Sequence, residues 1–275
     1  MFIKLAIPRK RVVRNLSAAF GDSYTTATKV GIAKGVQEHF VENLLDCLSQ
    51  LSDDDHARTV IDIRGKEHLE NALRKGKGAI ALGAHLGNFV LLGTRLGLEG
   101  YRCHTLFRFP KDARIEELIA KFLPRYHQSV ISAAAKRTAV TEILGALKKN
   151  EIVHILGDNL KKGRVAASLF GQRVPSPRGP ISLALRSSAP LVPMVLVRNY
   201  QGKMNLVIEP EIEMIRGGSL SEDIERNTRR MVLYLESLIR KYPDQWNWLT
   251  VRLWKQTPSR PSPIYIPEMD RPRPG

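Results

Sequence analysis

The chain has 275 residues, 43% of them apolar, and 43 Lys and Arg against 27 Asp and Glu give it a formal charge of +16. Such a composition supports a sizeable core and excludes a disordered chain, while positive charge spread along the whole length seeks nucleic acid, anionic lipid headgroups or an acidic protein. No zinc-type Cys/His spacing and no aromatic ribonucleoprotein signature accompanies that charge, so nucleic acid ranks last, and no apolar run reaches the roughly 18 to 20 residues of a membrane-spanning helix.

Residues 1–7 are mostly apolar, Pro8 interrupts them, and Arg9, Lys10, Arg11 and Arg14 follow. Residues 1–27 therefore read as a basic segment apart from the main domain, either inserting shallowly into an anionic leaflet or fraying. The apolar stretch is too short for a secretory signal. Over residues 28–51, Val30, Ala33, Phe40, Val41, Leu44, Leu45, Leu48 and Leu51 recur at helical spacing, which predicts an amphipathic helix with most of its stripe in the core and a remnant near Phe40 exposed. Cys47 and Cys103 sit in apolar contexts without Cys-x-x-Cys spacing, as buried thiols of a reducing compartment do.

A short helix is expected over residues 66–75, closed by Gly76. The unbroken apolar run from Gly78 to Gly83 then reads as a strand buried on both faces, and it ends in His85. Residues 89–96 have helical length, with Asn88 as N-cap and the Gly87 and Phe89 amides placed to face an anion. Strands over 101–107 and 152–156 and helices over 112–125 and 136–149 follow, the third strand arriving at Asp158. This alternation predicts an α/β fold, a single domain over residues 28–256 with a central mixed, mostly parallel sheet flanked by helices. Residues 160–180 read as a loop across the strand ends carrying Lys161, Lys162, Arg164, Arg173 and Arg178. A helix over 181–187, strands over 190–198 and 204–208, a long helix over 223–241 and a turn packed by Trp246 and Trp248 complete the domain. Residues 257–275, dense in Pro and Arg, read as a tail without packed structure.

Most isolated motifs carry nothing. Gly21-Asp22-Ser23-Tyr24 with Asp53 and His56 imitates the GDSL hydrolase blocks, but no strand precedes Gly21 and the two blocks lie too close together. Gly76-Lys77-Gly78 lacks the spacing of a phosphate loop. His39, His56, His68, His104 and His127 have no partner pattern, and His154 reads as a core histidine satisfied by backbone. His85 differs, because the carboxyl ends of strands are where open α/β sheets gather their chemistry.

The run from Arg64-Gly65-Lys66-Glu67-His68-Leu69 through Gly76-Lys77-Gly78 to His85-Leu86-Gly87-Asn88-Phe89 resembles the bacterial lipid A late acyltransferases of the lysophospholipid acyltransferase superfamily. Leu156-Gly157-Asp158-Asn159, Leu169-Phe170-Gly171, Gly179-Pro180, Ala189-Pro190-Leu191-Val192-Pro193 and Tyr242-Pro243-Asp244-Gln245-Trp246 are similar to the family's later blocks, in the same order. The resemblance implies an acyltransferase that moves a fatty acyl chain from acyl carrier protein or a coenzyme A thioester to a hydroxyl or amine of an anionic membrane lipid. It implies His85 as general base, no bound cofactor and no metal. Gly87, Asn88 and Arg108 would contact substrate, and the setting would be the cytoplasmic face of the inner membrane. One departure stands out: the family has an acidic residue five positions after the histidine, and here that position is Val90. Three accounts remain. Asp158, also just past a strand, replaces it; or His85 works unassisted; or catalysis is lost and lipid or carrier binding is kept.

Overall fold

The computed structural model describes residues 8–108 and 113–256; residues 1–7 and the tail at 257–275 lie outside them. Among the described residues seven strands form one sheet in the order β1 (Ile61–Arg64), β9 (Met204–Ile208), β8 (Leu191–Arg198), β2 (Ala79–Gly83), β5 (Ile152–Leu156), β3 (Cys103–Phe107) and β4 (Gln128–Ser132). Every neighbouring pair is parallel except β8 with β9. The architecture is thus a single α/β domain with a mostly parallel mixed sheet, as the alternation of elements implied.

β2 lies in the middle and all five of its residues are buried. Ile80 and Leu82 pack into the core on one face, Ala79 and Ala81 into the core on the other. An apolar side chain is needed at every position of such a strand, which is why it reads as a continuous run. Helices α1 (Arg9–Phe20), α7 (Lys136–Lys148), α8 (Gly179–Ser187) and α9 (Leu220–Lys241) contribute to the first core, and α4 (Lys66–Leu73) and α5 (Phe89–Leu98) to the second. α9 starts at a full capping box between Ser219 and Glu222, which satisfies two of its free N–H groups. α2 (Thr26–Ser52), α3 (His56–Val60) and α6 (Ala113–Phe122) complete the α-helices among the described residues.

Four stretches differ from their sequence reading, and the apolar stripe of α2, expected mostly in the core, is mostly exposed because the inward side of its second half is polar. Residues 9–20, expected in a basic segment outside the domain, form α1 with Val12, Leu16 and Phe20 buried at four-residue spacing in the main core. The cations around them mask a narrow apolar stripe. Within residues 160–180, expected as a loop, β6 (Val165–Leu169) and β7 (Gln172–Ser176) pair as an antiparallel hairpin. Its turn places Phe170 and Gly171 at positive φ, the twist that tight hairpins favour, and Pro175 is tolerated because β7 is an edge. β1 and β4 lie in short stretches that the alternation did not single out.

Asn15 ties α1 to the end of the domain. Its buried amide donates to the Trp248 carbonyl at 2.6 Å and to that of Val251 at 3.2 Å, and accepts from the Leu253 amide at 2.7 Å. Removing it strands these backbone groups in the core, so Asn15→Ala is expected to lower the unfolding free energy by about 3 kcal/mol in urea denaturation.

Candidate active site

β2 and β5 are adjacent and in register, with Gly83 beside Leu156, and the Gly157 amide continues the ladder to the Gly83 carbonyl at 2.9 Å. His85 and Asp158 each stand two residues past that pair, so the register delivers them to the same point above the sheet. His85 Nδ1 lies 2.8 Å from Asp158 Oδ1, and the His85 amide donates to Oδ2 at 2.9 Å. The indole N–H of Trp246 donates to the same Oδ2 at 2.8 Å. Asp158 is fully buried, whereas the His85 side chain keeps 31% of its surface.

The electrostatics follow from these contacts. Burial opposes ionisation of Asp158, but the His85 bond and charge and the Trp246 bond outweigh it and hold the carboxyl below its ordinary value. Burial likewise disfavours the His85 cation, the Asp158 bond and charge overcome it, and the imidazole sits above its ordinary value of 6.5 despite opposition from Lys161. With the carboxylate ionised, Nδ1 carries the proton, and Nε2 is left with a free lone pair. That is the arrangement of a general base held by an acid. Because the folded His85 is raised, its stabilising share is complete below about pH 6.5 and fades as pH climbs through the raised value. The Asp158 share is present above the unfolded value near 3.8 and is lost as pH falls through the depressed one.

The loop after β2 is braced from three sides. The Gly87 amide donates to the Gln245 carbonyl at 3.0 Å, the Asn88 amide to that of Leu196 at 2.8 Å, and the Asn247 amide to that of His85 at 2.8 Å. From α2, Asn43 donates to the Gly87 carbonyl at 3.1 Å, and Asn88 donates back to the Asn43 carbonyl at 3.2 Å. Asn88 also caps α5 by accepting from the Leu91 amide at 3.4 Å. Gly87 has φ +59°, and a Cβ there would lie 1.9 Å from the Leu196 carbonyl, so no side chain fits. Gly87 and Asn88, expected to contact substrate, are thus consumed in holding the loop. The Gly87 amide is not free to face an anion, and Asn88 is 2% exposed.

Val90 is exposed on the first turn of α5. Arg108 is exposed at the carboxyl end of β3, two strands from β2, and has no acidic partner among the described residues. Lys161 stands near enough to His85 to oppose its charge; burial and the neighbouring Arg11 and Arg252 lower its own pKa. The packing of α1 against the Leu253–Lys255 turn brings these cations together from opposite ends of the chain.

His154 corrects an expectation. It is buried with no partner on either ring nitrogen, not satisfied by backbone, because at this position the backbone lies in ladders with Ala81 on one side and Thr105 on the other. Burial, with the His85 charge second, pushes it down to about 4, so the ring is neutral. Gly83 makes room for it, since a Cβ there would meet its Nε2 at 2.5 Å. Burial also raises the Cys47 thiol to about 11 and that of Cys103 to about 12, leaving both unreactive. Trp246 as holder of the carboxylate and Asn43 as loop brace were not singled out from the sequence. Trp246 had a signal in the closing Pro243-Asp244-Gln245-Trp246 segment; Asn43 had none.

If Asp158 sets the basicity of His85, Asp158→Asn lowers the imidazole pKa while the fold is kept. Titration of the ring resonances by NMR in both proteins checks the shift; an unchanged midpoint would remove the electrostatic coupling.

Comparison with known proteins places the chain in a family. Over residues 1–256 the chain matches the family model described as bacterial lipid A biosynthesis acyltransferase. It is 25% identical over 203 residues to a phosphatidylinositol mannoside acyltransferase of Mycolicibacterium smegmatis, covering 71% of this chain and 64% of that protein. It is 23% identical over 197 residues to a lipid A biosynthesis acyltransferase of Haemophilus influenzae, covering 70% of this chain and 59% of that protein. The chain therefore spans about three fifths of the length of these relatives. With the family model matched across all of the described residues, the chain belongs to the bacterial lipid A biosynthesis acyltransferase family.

Proposed function

We propose that the chain transfers a fatty acyl group from an acyl thioester, on acyl carrier protein or coenzyme A, to a hydroxyl or amine of a membrane lipid such as a lipid A precursor or another glycolipid or aminolipid. One observation carries this reading: a partly exposed imidazole whose Nδ1 is held at 2.8 Å by a buried carboxylate. The acceptor O–H or N–H gives its proton to His85 Nε2 as the oxygen or nitrogen bonds to the thioester carbonyl carbon. The tetrahedral intermediate then expels the thiolate as the C–S bond breaks, and the proton on Nε2 passes to the sulfur. Asp158 keeps the proton on Nδ1 and stabilises the imidazolium, the task of the family's acid at the position where this chain has Val90.

Arg108, Arg11, Lys161 and Arg252 supply positive charge suited to the phosphates of an anionic lipid or of the donor's pantetheine arm. No described helix is long and apolar enough to cross a membrane, and the basic surface suits peripheral action at the cytoplasmic face of the inner membrane.

The test is transfer from labelled acyl carrier protein or acyl coenzyme A to a bacterial lipid extract, read by chromatography. His85→Ala is expected to abolish transfer, and Asp158→Asn to slow it by about 10³- to 10⁴-fold. Val90→Glu is expected to gain nothing, because the carboxylate position beside Nδ1 is filled. The wild-type rate should rise with pH through a value above 6.5, since the neutral imidazole is the working form; in Asp158→Asn that limb moves to lower pH. An inert wild type that still binds lipid would instead support a noncatalytic lipid- or carrier-binding relative, the reading favoured by Val90.

A further inference from the structure

α2 buries Ala33 and Val36 in the core, but its second half is amphipathic the wrong way round for a helix packed on a domain. From His39 to Gln50 its polar face turns toward the protein and is partnered there. His39 bonds Glu42 at 3.0 Å and Asp244 at 3.4 Å, Glu42 pairs with Arg198 at 3.1 Å, and Asp46 pairs with the same guanidinium. Asn43 holds the Gly87 carbonyl, and Gln50 bonds the Asp54 carbonyl at 2.7 Å and the Ala57 amide at 2.6 Å. The opposite face carries Phe40, Val41, Leu44, Leu45 and Leu48, which are 41–57% exposed, and Val30 continues the stripe nearly three turns before Phe40. Aqueous solvent alone does not favour this orientation; an apolar phase on the outer side does.

We infer that the Phe40–Leu48 face of α2 is a docking surface for an anionic lipid bilayer, which it enters lying in the plane of the interface. The charge around this face favours a bilayer over other occupants. At the Val30 end, Arg9, Lys10 and Arg14 join Val13, Val30 and Ala33 around a cavity of about 380 Å³, so cations stand beside apolar side chains as they do at the headgroup level. A carrier protein recognised by its charge needs cations on the docking face itself, and between Glu38 and Ser49 α2 has neither Lys nor Arg, whereas an apolar stripe enters a bilayer with cations needed only at its margin. The lipid acceptor proposed above supplies the reason for a bilayer at this place: the same helix that meets it braces the His85 loop through Asn43 and Asn88.

Binding is read without turnover, by co-sedimentation of the full chain with phosphatidylglycerol-rich and with pure phosphatidylcholine vesicles. The wild type is expected to bind the anionic vesicles, with salt weakening the interaction. Leu44→Ser/Leu45→Ser/Leu48→Ser should lower the partition by at least about tenfold, with circular dichroism unchanged since all three side chains are exposed. Leu45→Trp, which leaves the stripe apolar, should shift its emission to the blue on vesicle addition. A wild type that ignores vesicles, a triple variant that binds as well as the wild type, or an unmoved Trp emission overturns the inference. So does a wild-type dimer in sedimentation equilibrium that the triple variant dissolves, because the stripe would then be covered by a second copy. His85→Ala should bind as the wild type does; vesicle binding by a protein with no transfer activity would defeat acyl transfer and leave the docking surface standing.

Discussion

A single buried carboxylate organises this molecule. Asp158 accepts three N–H groups from two other parts of the chain: the ring and backbone of His85 after β2, and the Trp246 indole near the end of the domain. A carboxylate withdrawn from water is costly unless it is satisfied, and here satisfying it requires that β2, β5 and the closing segment all be in place. The same three bonds hold the Asp158 carboxyl below its ordinary value, keep the proton on Nδ1 of His85 and leave Nε2 as the basic nitrogen. The geometry of the candidate site and the closure of the fold are one interaction seen from two sides.

Around that carboxylate the protein spends polar groups on rigidity. The loop from His85 to Asn88 donates or accepts at Gln245, Leu196, Asn247 and Asn43, and Gly87 admits the Leu196 carbonyl where any side chain would collide. The brace from α2 couples that rigidity to a helix whose outer face is apolar, so the element that orients the loop is also the one that would meet a lipid phase. Beneath the loop His154 remains neutral and without a partner, enclosed by central strands and accommodated by Gly83. A second charged imidazole there would be opposed by the His85 cation.

The family's usual acid, at the position of Val90, is absent, yet the imidazole is not left alone. Asp158 reaches Nδ1 from the neighbouring strand end because β2 and β5 are parallel, adjacent and in register. In such a sheet two residues far apart in the chain, each two positions beyond its strand, converge by geometry alone. Position in the sheet substitutes for spacing in the sequence.

Much of this was legible before any coordinates. The unbroken run from Gly78 to Gly83 identified a central strand, helical spacing identified α2, α7 and α9, and the abrupt change to His85 marked the strand end where chemistry gathers, all because burial imposes local periodicity. α1 and the β6–β7 hairpin were obscured, the first by cations flanking three buried residues, the second by Gly, Ser and Pro that serve a turn and an edge strand. What local pattern does not carry is which partner each polar group finds. The polar face of α2 looks solvated until Arg198 and the Gly87 carbonyl come under it, and Trp246 looks like core until its N–H meets Asp158. Residue order determined the elements and the candidate base; only tertiary structure decided which carboxylate holds that base and which face of α2 is left bare, since both depend on contacts between segments that share no sequence neighbourhood.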